Sequence, residues 1–183
     1  MNIYISGGCK NGKSTAAEDM AVALSERTGG KRYYVATMIP YDDEDRARVR
    51  KHVENRKHKG FQTIEQGRDI GALAAAEDGS GTYLIDSVTA LLLNEMFTND
   101  YNGEADPEAP KRCIEGLRAL MEKAANVICV SDYIFSDAVL YDEFTQTYRR
   151  MLAETDRKTT ENCDAVIEYV SGIPVYYKGE GLL

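Results

Sequence analysis

The chain has no tryptophan, only two histidines and only four prolines among its 183 residues, and its apolar runs are short. The longest of these runs lie near residues 89–93 and 127–130, far below the roughly 20 residues that a membrane-spanning helix needs. The N-terminus has neither the basic region nor the apolar core of a signal peptide. These absences predict a cytoplasmic protein without a membrane segment.

Cysteine is also scarce. The four cysteines form no CxxC pair, and the two histidines offer little help in building a metal site. We expect all four to be reduced and packed as small apolar residues: Cys9, Cys113, Cys129 and Cys163. The formal net charge of -8 is unfavourable for general nucleic-acid binding, which requires a basic surface.

The balance of charge reverses in one segment, residues 46–59. This segment holds seven of the 22 basic residues, a single acid (Glu54) and both histidines. Such a cluster attracts an anion locally while the rest of the molecule repels one.

Short β-rich apolar runs alternate with longer helical patterns along the chain. Strands are predicted at Asn2–Ser6, Arg32–Thr37, Thr82–Asp86, Asn126–Ser131 and Ala165–Val170. Helices are predicted at Lys13–Arg27, Glu44–Arg56, Ser87–Phe97, Glu108–Lys123 and Val139–Thr160, with a surface loop or lid at Asn99–Pro110. The alternation predicts an α/β fold in one domain, 1–183, with a mainly parallel sheet covered on both faces. A C-terminal hairpin ending in Ile173–Lys178 should add an antiparallel edge.

Residues 7–14, GGCKNGKS, match the phosphate-loop pattern GxxxxGK[ST] between a predicted strand and a predicted helix. Glycines let successive backbone N–H groups converge on phosphate oxygens, and the helix N-terminus adds partial positive charge. Lys13 would reach the β- and γ-phosphates, and the Ser14 hydroxyl would bind Mg²⁺. The predicted fold is therefore a P-loop NTPase-like three-layer sandwich rather than one with a glycine-rich turn that binds nothing. The predicted phosphate-binding residues are Gly7, Gly8, Cys9, Lys10, Asn11, Gly12, Lys13, Ser14 and Thr15.

Asp86 ends the apolar run that begins at Tyr83, in the pattern of a Walker B strand. A carboxylate at the end of a neighbouring strand can hold Mg²⁺, directly or through water. The alternative is that Asp86 caps the helix that follows.

If residues 44–56 are helical, Arg48, His52 and Arg56 share one face at spacings of four. Two guanidinium groups would then flank an imidazole, which suits a bound phosphate chain. Nearby cations also favour a neutral histidine that can attack phosphorus. The alternative is a solvated basic face with an incidental histidine. His58, beyond this helix, is expected to be an exposed loop residue.

Six segments in order along the chain are similar to segments of one known family. They are Ser6–Ser14; Tyr34–Thr37; Asp43-Glu44 with Arg48-Val49, His52 and Arg56; Thr63–Glu65; Asp86–Thr89 with Asn94; and Val170–Pro174 with Lys178. The family is that of the bifunctional adenosylcobinamide kinase/adenosylcobinamide-phosphate guanylyltransferases of cobalamin biosynthesis. Only the phosphate loop is specific by itself, and the six segments together carry the resemblance.

The resemblance implies a two-step enzyme. GTP or ATP first phosphorylates adenosylcobinamide, and GTP then guanylylates a histidine, which passes GMP to the new phosphate to give adenosylcobinamide-GDP. The position that would carry GMP is His52. The resemblance also implies a homotrimer with sites between subunits. It places nucleotide contacts at Ala36, Thr37, Val53, Glu54, Asn55, Arg56, Glu65 and Asp86.

The chain departs from the family pattern at three places. Asp132–Phe135 stand where the family usually has Asn-Glu-Val-Gly, Phe61 replaces a tryptophan, and Asp156-Arg157 replace an Asn-Gln pair. These positions bear on the second substrate and on subunit contacts more than on the phosphate loop.

Two other functions fit parts of the pattern. One is a P-loop kinase for a different small alcohol or nucleotide, with His52 only binding phosphate. The other is a GTP-binding regulatory module, but the guanine-reading Asn-Lys-x-Asp string of small GTPases is absent from the chain.

Overall fold

The computed structural model describes residues 1–40, 42–43, 54, 56–97, 104–135 and 137–182. The described strands are β1 (Asn2–Gly7), β2 (Arg32–Ala36), β3 (Gln62–Glu65), β4 (Thr82–Asp86), β5 (Asn126–Asp132), β6 (Ala165–Val170) and β7 (Ile173–Lys178). The described helices are α1 (Lys13–Thr28), α2 (Ala72–Ala76), α3 (Val88–Met96), α4 (Ala109–Lys123) and α5 (Glu143–Thr160), with a 3-10 turn at Lys57–Lys59.

The seven strands form one sheet in the order β3-β2-β4-β5-β1-β6-β7. Neighbouring strands are parallel except for β6 and β7, which pair antiparallel, so the predicted C-terminal hairpin is confirmed. The carboxyl ends of β1 to β6 therefore meet at one edge of the sheet. At that edge, the end of β1 has β5 on one side and β6 on the other, and β4 lies beyond β5.

Side chains alternate between the two faces of the sheet, as the period of two in a strand requires. In β1, Ile3 and Ile5 are fully buried against Ala17 and Ala21 of α1, whereas Tyr4 points into the core on the opposite face. The small alanine side chains bring α1 close to the sheet. Burying each isoleucine contributes about 1.5–3 kcal/mol.

The opposite face of the sheet is covered by three helices, α3, α4 and α5. Their fully buried residues include Leu91 and Leu92 from α3, Leu117 from α4 and Leu152 from α5. Helices thus lie on both faces, and the predicted mainly parallel α/β sandwich is confirmed. None of the helices in the described part of the chain combines the length and the apolar character that a membrane span requires.

Two elements are absent from the sequence prediction, β3 and the short helix α2. Gln62, Thr63 and Glu65 are exposed, so β3 lacks the apolar run by which the other strands were predicted. It pairs with β2 at the edge of the sheet, where side chains that face water need not be apolar.

One helix boundary differs from the prediction by several residues. The last long helix begins at Glu143 rather than at Val139, because the Asp142 carboxylate caps it by accepting a hydrogen bond from the Thr145 backbone N–H at 2.8 Å. The apolar Leu140 that extended the predicted pattern is 95% exposed. Of the predicted loop Asn99–Pro110, Ala109 and Pro110 already belong to α4, and residues 98–103 lie outside the described residues.

The prediction for the cysteines holds for three of the four. Cys113, Cys129 and Cys163 are buried, and burial raises the pKa of the Cys113 and Cys163 thiols to about 12. Cys9 is exposed, contrary to the expectation of packing, because it lies on the open phosphate loop.

Candidate active site

The phosphate loop follows β1 directly, and α1 begins at Lys13. Only glycine fits at position 7. A Cβ atom there would collide with the Asn11 side chain and lie 2.6 Å from the carbonyl oxygen of Tyr169. The Asn11 amide donates to that same Tyr169 carbonyl, and its oxygen accepts from the Lys13 N–H at 3.3 Å. These two hydrogen bonds of Asn11 hold the loop against β6.

The Lys13 side chain is buried, with 7% of the residue exposed. Its ammonium donates to the Gly8 carbonyl oxygen at 3.1 Å and forms an ion pair with Asp132 Oδ1 at 2.7 Å. A buried cation needs a counter-charge, which Asp132 supplies and which the phosphate oxygens of a bound nucleotide would also supply.

Asp132 is not among the site residues predicted from the sequence. It is the last residue of β5 and pairs in register with Gly7. Its backbone N–H donates to the Thr89 hydroxyl at 2.8 Å, and the N–H of the next residue, Tyr133, donates to the Gly7 carbonyl at 2.9 Å. Only the strand order reveals this position, because Asp132 lies 125 positions after its register partner Gly7 in the sequence.

Asp86 ends β4 on the same face of the sheet as α1. One carboxylate oxygen accepts a hydrogen bond from the Tyr34 hydroxyl at 2.7 Å. Burial and the nearby Asp86 carboxylate raise the pKa of Tyr34, so the phenol stays protonated and donates. The alternative role for Asp86, capping the next helix, belongs to Ser87, whose hydroxyl accepts from the Ala90 N–H at 3.2 Å.

Arg56 packs on the ring of Tyr34, the residue that donates this hydrogen bond. Its guanidinium carbon lies 3.3 Å from the centroid of the Tyr34 ring, and only 3% of the residue is exposed. Among the described residues, Arg56 Nε and Nη1 have no hydrogen-bond partner. A buried guanidinium with two unpaired N–H groups is a ready partner for an anion.

The segment that follows Arg56 is bound to α1 and β2. The Lys59 ammonium lies 2.8 Å from both Glu18 Oε2 and Asp19 Oδ1, and the Lys59 carbonyl accepts from Arg32 Nη1 at 2.8 Å. Glu54 and Arg56 are helical, which agrees with the end of the predicted helix at 44–56. The predicted site residues Arg48, His52, Val53 and Asn55 lie outside the described residues.

The remaining predicted nucleotide contacts lie at the carboxyl ends of β2 and β3. Thr37 is fully buried, and its hydroxyl donates to the Ser87 carbonyl at 2.8 Å and accepts from the Ser87 N–H at 2.7 Å. Glu65 pairs in register with Ala36 and is exposed. The structure therefore brings Ala36, Glu65 and Asp86 to one edge of the sheet. The Thr37 hydroxyl is instead hydrogen-bonded to the Ser87 backbone.

Mg²⁺ prefers oxygen ligands and usually keeps several waters and substrate phosphate oxygens. Ser14, in the first turn of α1, and Asp86 supply one hydroxyl and one carboxylate, which fits that preference. Among the described residues, no group of three or more His, Cys, Asp or Glu side chains could hold a metal by itself. The donor set therefore fits an ion that arrives with a nucleotide.

The sequence pattern of the family described as cobinamide kinase / cobinamide phosphate guanyltransferase matches residues 3–177 of the chain. The chain belongs to this family. The predicted family resemblance is thereby confirmed, and members of the cobinamide kinase / cobinamide phosphate guanyltransferase family are transferases.

One relative is the bifunctional adenosylcobalamin biosynthesis protein CobP of Pseudomonas aeruginosa. It is 28% identical over 184 residues, which span 100% of both chains. The cobinamide kinase / cobinamide phosphate guanyltransferase pattern and the CobP similarity thus cover the same phosphate loop, strand ends and C-terminal hairpin.

Solved structures resemble the fold at much lower identity. A KaiC-like protein from Pyrococcus horikoshii has a TM-score of 0.51 at 12% identity, over 91% of this chain and 69% of that one. The ATPase domain of G40P has a TM-score of 0.53 at 9% identity, over 98% of this chain and 77% of that one. These likenesses confirm the P-loop NTPase-like fold of this cobinamide kinase / cobinamide phosphate guanyltransferase family member.

Two departures from the family pattern, far apart in sequence, meet in space beside β5. Asp156 of α5 is buried and accepts hydrogen bonds from the Tyr4 hydroxyl and, at 3.0 Å, from Ser131, the residue before Asp132. Burial raises the pKa of Asp156 to about 6. The Ser131 hydroxyl in turn lies 3.3 Å from that of Thr89, which holds the Asp132 backbone. Two carboxylates thus replace amides of the resembled pattern: Asp132, which pairs with Lys13, and Asp156, which binds the Tyr4 and Ser131 hydroxyls.

Proposed function

We propose that the protein phosphorylates adenosylcobinamide and then transfers GMP from GTP, through a guanylyl-histidine at His52, to adenosylcobinamide phosphate. The observations that carry this proposal are the buried Lys13 of the phosphate loop and Arg56, the last residue of the predicted basic helix, which packs on Tyr34 on the α1 face of the sheet. Family membership supplies the substrate class.

In the kinase step, Lys13 and the loop N–H groups would hold the β- and γ-phosphates. The substrate hydroxyl oxygen attacks the γ-phosphorus, the new O–P bond forms, and the bond to the bridging oxygen breaks. The nucleoside diphosphate leaves with that electron pair, and the hydroxyl proton passes to solvent. Mg²⁺, bound by Ser14 and Asp86 with the phosphates, would neutralise charge that develops on the phosphate oxygens.

In the guanylyl step, an imidazole nitrogen of His52 attacks the α-phosphorus of GTP. The N–P bond forms, and pyrophosphate leaves with the electrons of the broken P–O bond. A phosphate oxygen of adenosylcobinamide phosphate then attacks the same phosphorus, which breaks the N–P bond and restores His52. Lys13 and the loop N–H groups hold the departing pyrophosphate.

The anchored end of the basic segment supports this role for His52. Lys59 contacts Arg32 at the start of β2, and Arg56 contacts Tyr34, two residues further along that strand. From Lys59 back to Arg56, the segment is therefore directed toward the carboxyl end of β2. In the predicted helix at 44–56, the spacing of four residues places His52 on the same face as Arg56.

The test uses Mg²⁺ and GTP labelled at the α-phosphorus. We expect acid-labile, base-stable label on the protein at a stoichiometry near one per chain, and none on His52→Ala. His58→Ala is the matched control, since His58 is exposed beyond the helix, and it should keep the label. Absence of label from the wild type, or equal label on His52→Ala, would leave a P-loop kinase without guanylyl transfer as the function.

A homotrimer and a cytoplasmic location complete the proposal. Strand β7 supports subunit contact, because Ile173 and Tyr177 on this edge strand are 66% and 69% exposed. Light scattering on the purified protein should give three times the mass of one chain. A monomer mass at micromolar concentration would contradict it.

A further inference from the structure

A cavity lies beside the phosphate loop, at the end of β6 and the turn that leads to β7. It has a volume of about 700 Å³, and Gly8–Asn11 of the loop form one wall. The facing walls are Tyr133 and the end of β6, at Glu168, Tyr169 and Val170. None of these four facing residues is used in either proposed reaction.

The sheet order gives the site two opposite sides. Lys13 Nζ, which marks the β- and γ-phosphates, lies against Asp132 of β5, and Asp86 lies one strand further, in β4. Apart from the loop itself and Tyr133, which follows β5, the residues that line the cavity belong to the end of β6 and the turn after it, on the other side of β1. A triphosphate whose terminal phosphates are held by Lys13 can therefore direct its nucleoside toward β4 and β2 or toward β6 and β7.

Only one of these directions, that of β2 and β4, brings the α-phosphorus toward Arg56, which is four residues after His52 in the sequence. With the nucleoside on that side, the β- and γ-phosphates lie on the loop and leave as pyrophosphate. Phosphoryl transfer requires the reverse arrangement, in which the γ-phosphate faces the open edge by Asp132 and Asp86 and the nucleoside points away from it.

We propose that the β6–β7 cavity binds the purine nucleoside of the phosphate donor in the kinase step, so that one phosphate loop serves two triphosphates bound in opposite directions. This inference rests on the proposed two-step function. A volume of about 700 Å³ lies within the range of about 300–1,000 Å³ for small-ligand sites.

The chemistry of the cavity suits a purine. The Tyr133 ring is 41% exposed at its mouth and offers a stacking surface for a base. The Glu168 carboxylate can accept from an exocyclic amino group, and the Tyr177 hydroxyl, which donates to Glu168 Oε2 at 2.6 Å, fixes its position. The Asn11 bond to the Tyr169 carbonyl joins the cavity wall to the phosphate loop, so both parts of a nucleotide would meet one rigid surface.

The test is equilibrium binding of a non-hydrolysable ATP analogue with Mg²⁺, measured by calorimetry on the full chain. Val170→Trp fills the cavity, and we expect binding at least about tenfold weaker. Tyr133→Ala removes the partly exposed stacking ring and adds no bulk. We expect it to weaken binding by at least about fivefold. Leu182→Trp adds the same bulk at an exposed residue outside the cavity and should bind within twofold of the wild type.

A second readout is labelling of the protein by α-labelled GTP. Under the proposal, Val170→Trp lowers affinity for the ATP analogue but changes the labelling rate less than twofold. Unchanged ATP-analogue affinity in both Val170→Trp and Tyr133→Ala would overturn the proposal. A parallel fall of affinity and labelling would also overturn it, since it would show one nucleoside direction for both steps.

The proposed function and this inference fail in different ways. A wild-type protein that forms no phosphorylated cobinamide contradicts the kinase reaction. The binding comparison among Val170→Trp, Tyr133→Ala and Leu182→Trp still decides where the purine lies.

A pyrimidine probe, CTP, should bind at least about threefold more weakly than ATP, because its smaller ring covers less of Tyr133. Equal binding of CTP would contradict the purine assignment.

Discussion

Asp86 and Asp132 end adjacent strands on the same face of the sheet, yet they have different partners. Asp86 pairs in register with Val130, and Asp132 follows two residues later, so both carboxylates point toward α1. Asp86 accepts from a neutral hydroxyl, that of Tyr34. Asp132 forms an ion pair with the ammonium of Lys13.

The difference assigns the two carboxylates opposite effects on a nucleotide. A carboxylate held by a hydroxyl keeps its full charge for an incoming cation, so Asp86 favours Mg²⁺ and the triphosphate that accompanies it. A carboxylate paired with the phosphate-loop lysine must give up that partner when phosphate arrives. We therefore expect Asp132 to compete with phosphate for Lys13, although it supplies the counter-charge of that buried ammonium.

The largest expected effect is that of Asp86→Asn. The amide oxygen can still accept from Tyr34, so the fold should persist, but the charge that attracts Mg²⁺ is lost. We expect kcat/KM for both transfers to fall about 100-fold, which corresponds to ~2.7 kcal/mol of transition-state stabilisation. Steady-state kinetics over a range of Mg²⁺ concentrations measures it, with the exposed Glu115→Gln on α4 as the matched control. Activity within threefold of the wild type would remove the distinction between the two carboxylates.

A third carboxylate, Asp156, extends the comparison because its described partners are two hydroxyls, from Tyr4 and Ser131. Burial raises its pKa from 3.8 to about 6, so the folded state favours the neutral acid. Between about pH 4 and pH 6 the native state binds more protons than the unfolded state, and the free energy of unfolding decreases as pH rises. The stabilisation is fully present below the unfolded pKa and is lost as pH passes through 6.

Asp156→Asn tests that sign. Since an amide cannot ionise, the variant should gain about 1–2 kcal/mol relative to the wild type between pH 5 and pH 8, below the limit of ~3 kcal/mol set by the full pKa shift. Urea unfolding of both proteins at the two pH values measures it. An equal change in both proteins would show that Asp156 is ionised in the fold throughout this range.

Asp132→Asn should have the opposite sign from Asp86→Asn for nucleotide binding. Without its counter-ion, Lys13 is free for phosphate, and we expect the Kd for GTP to fall about fivefold, ~1 kcal/mol. The empty protein should lose a few degrees in Tm because a buried ammonium then lacks an anion, and saturating GTP should restore it. Calorimetry and thermal unfolding with and without GTP measure both. Weaker GTP binding by this variant would mean that Asp132 assists the nucleotide rather than competing with it.

The contrast between Asp86 and Asp132 also shows which parts of the site can be predicted from a sequence. Asp86 follows a fully apolar run, and buried parallel strands are continuous in this way, so both the strand and its terminal acid were predictable. The phosphate loop was predictable because its chemistry demands glycines and a lysine at fixed spacing. Asp132 ends an equally clear strand, but its partner depends on the strand order, which local pattern does not encode.

Arg56 illustrates a different limit. Spacings of four residues predicted a face shared with His52, but not that the guanidinium would be buried on the ring of Tyr34, which is remote in sequence. Strand β3 was missed for a related reason, since its exposed side chains have no apolar period. Contacts between distant segments decide both features, whereas period and turn chemistry decide the others.

The smallest expected effect comes from Tyr34, whose hydroxyl binds Asp86 and whose ring contacts Arg56. Tyr34→Phe removes the hydroxyl donor but keeps the ring beneath Arg56, so we expect a loss of about 1 kcal/mol in the free energy of unfolding and a two- to fivefold fall in Mg²⁺-dependent activity. Tyr34→Leu also removes the ring, and the buried guanidinium should then lose a further ~1 kcal/mol or more. Urea unfolding of the two variants gives the difference. If both variants match the wild type in stability, neither the hydroxyl nor the ring holds this side of the site, and the orientation of Asp86 must come from the sheet backbone alone.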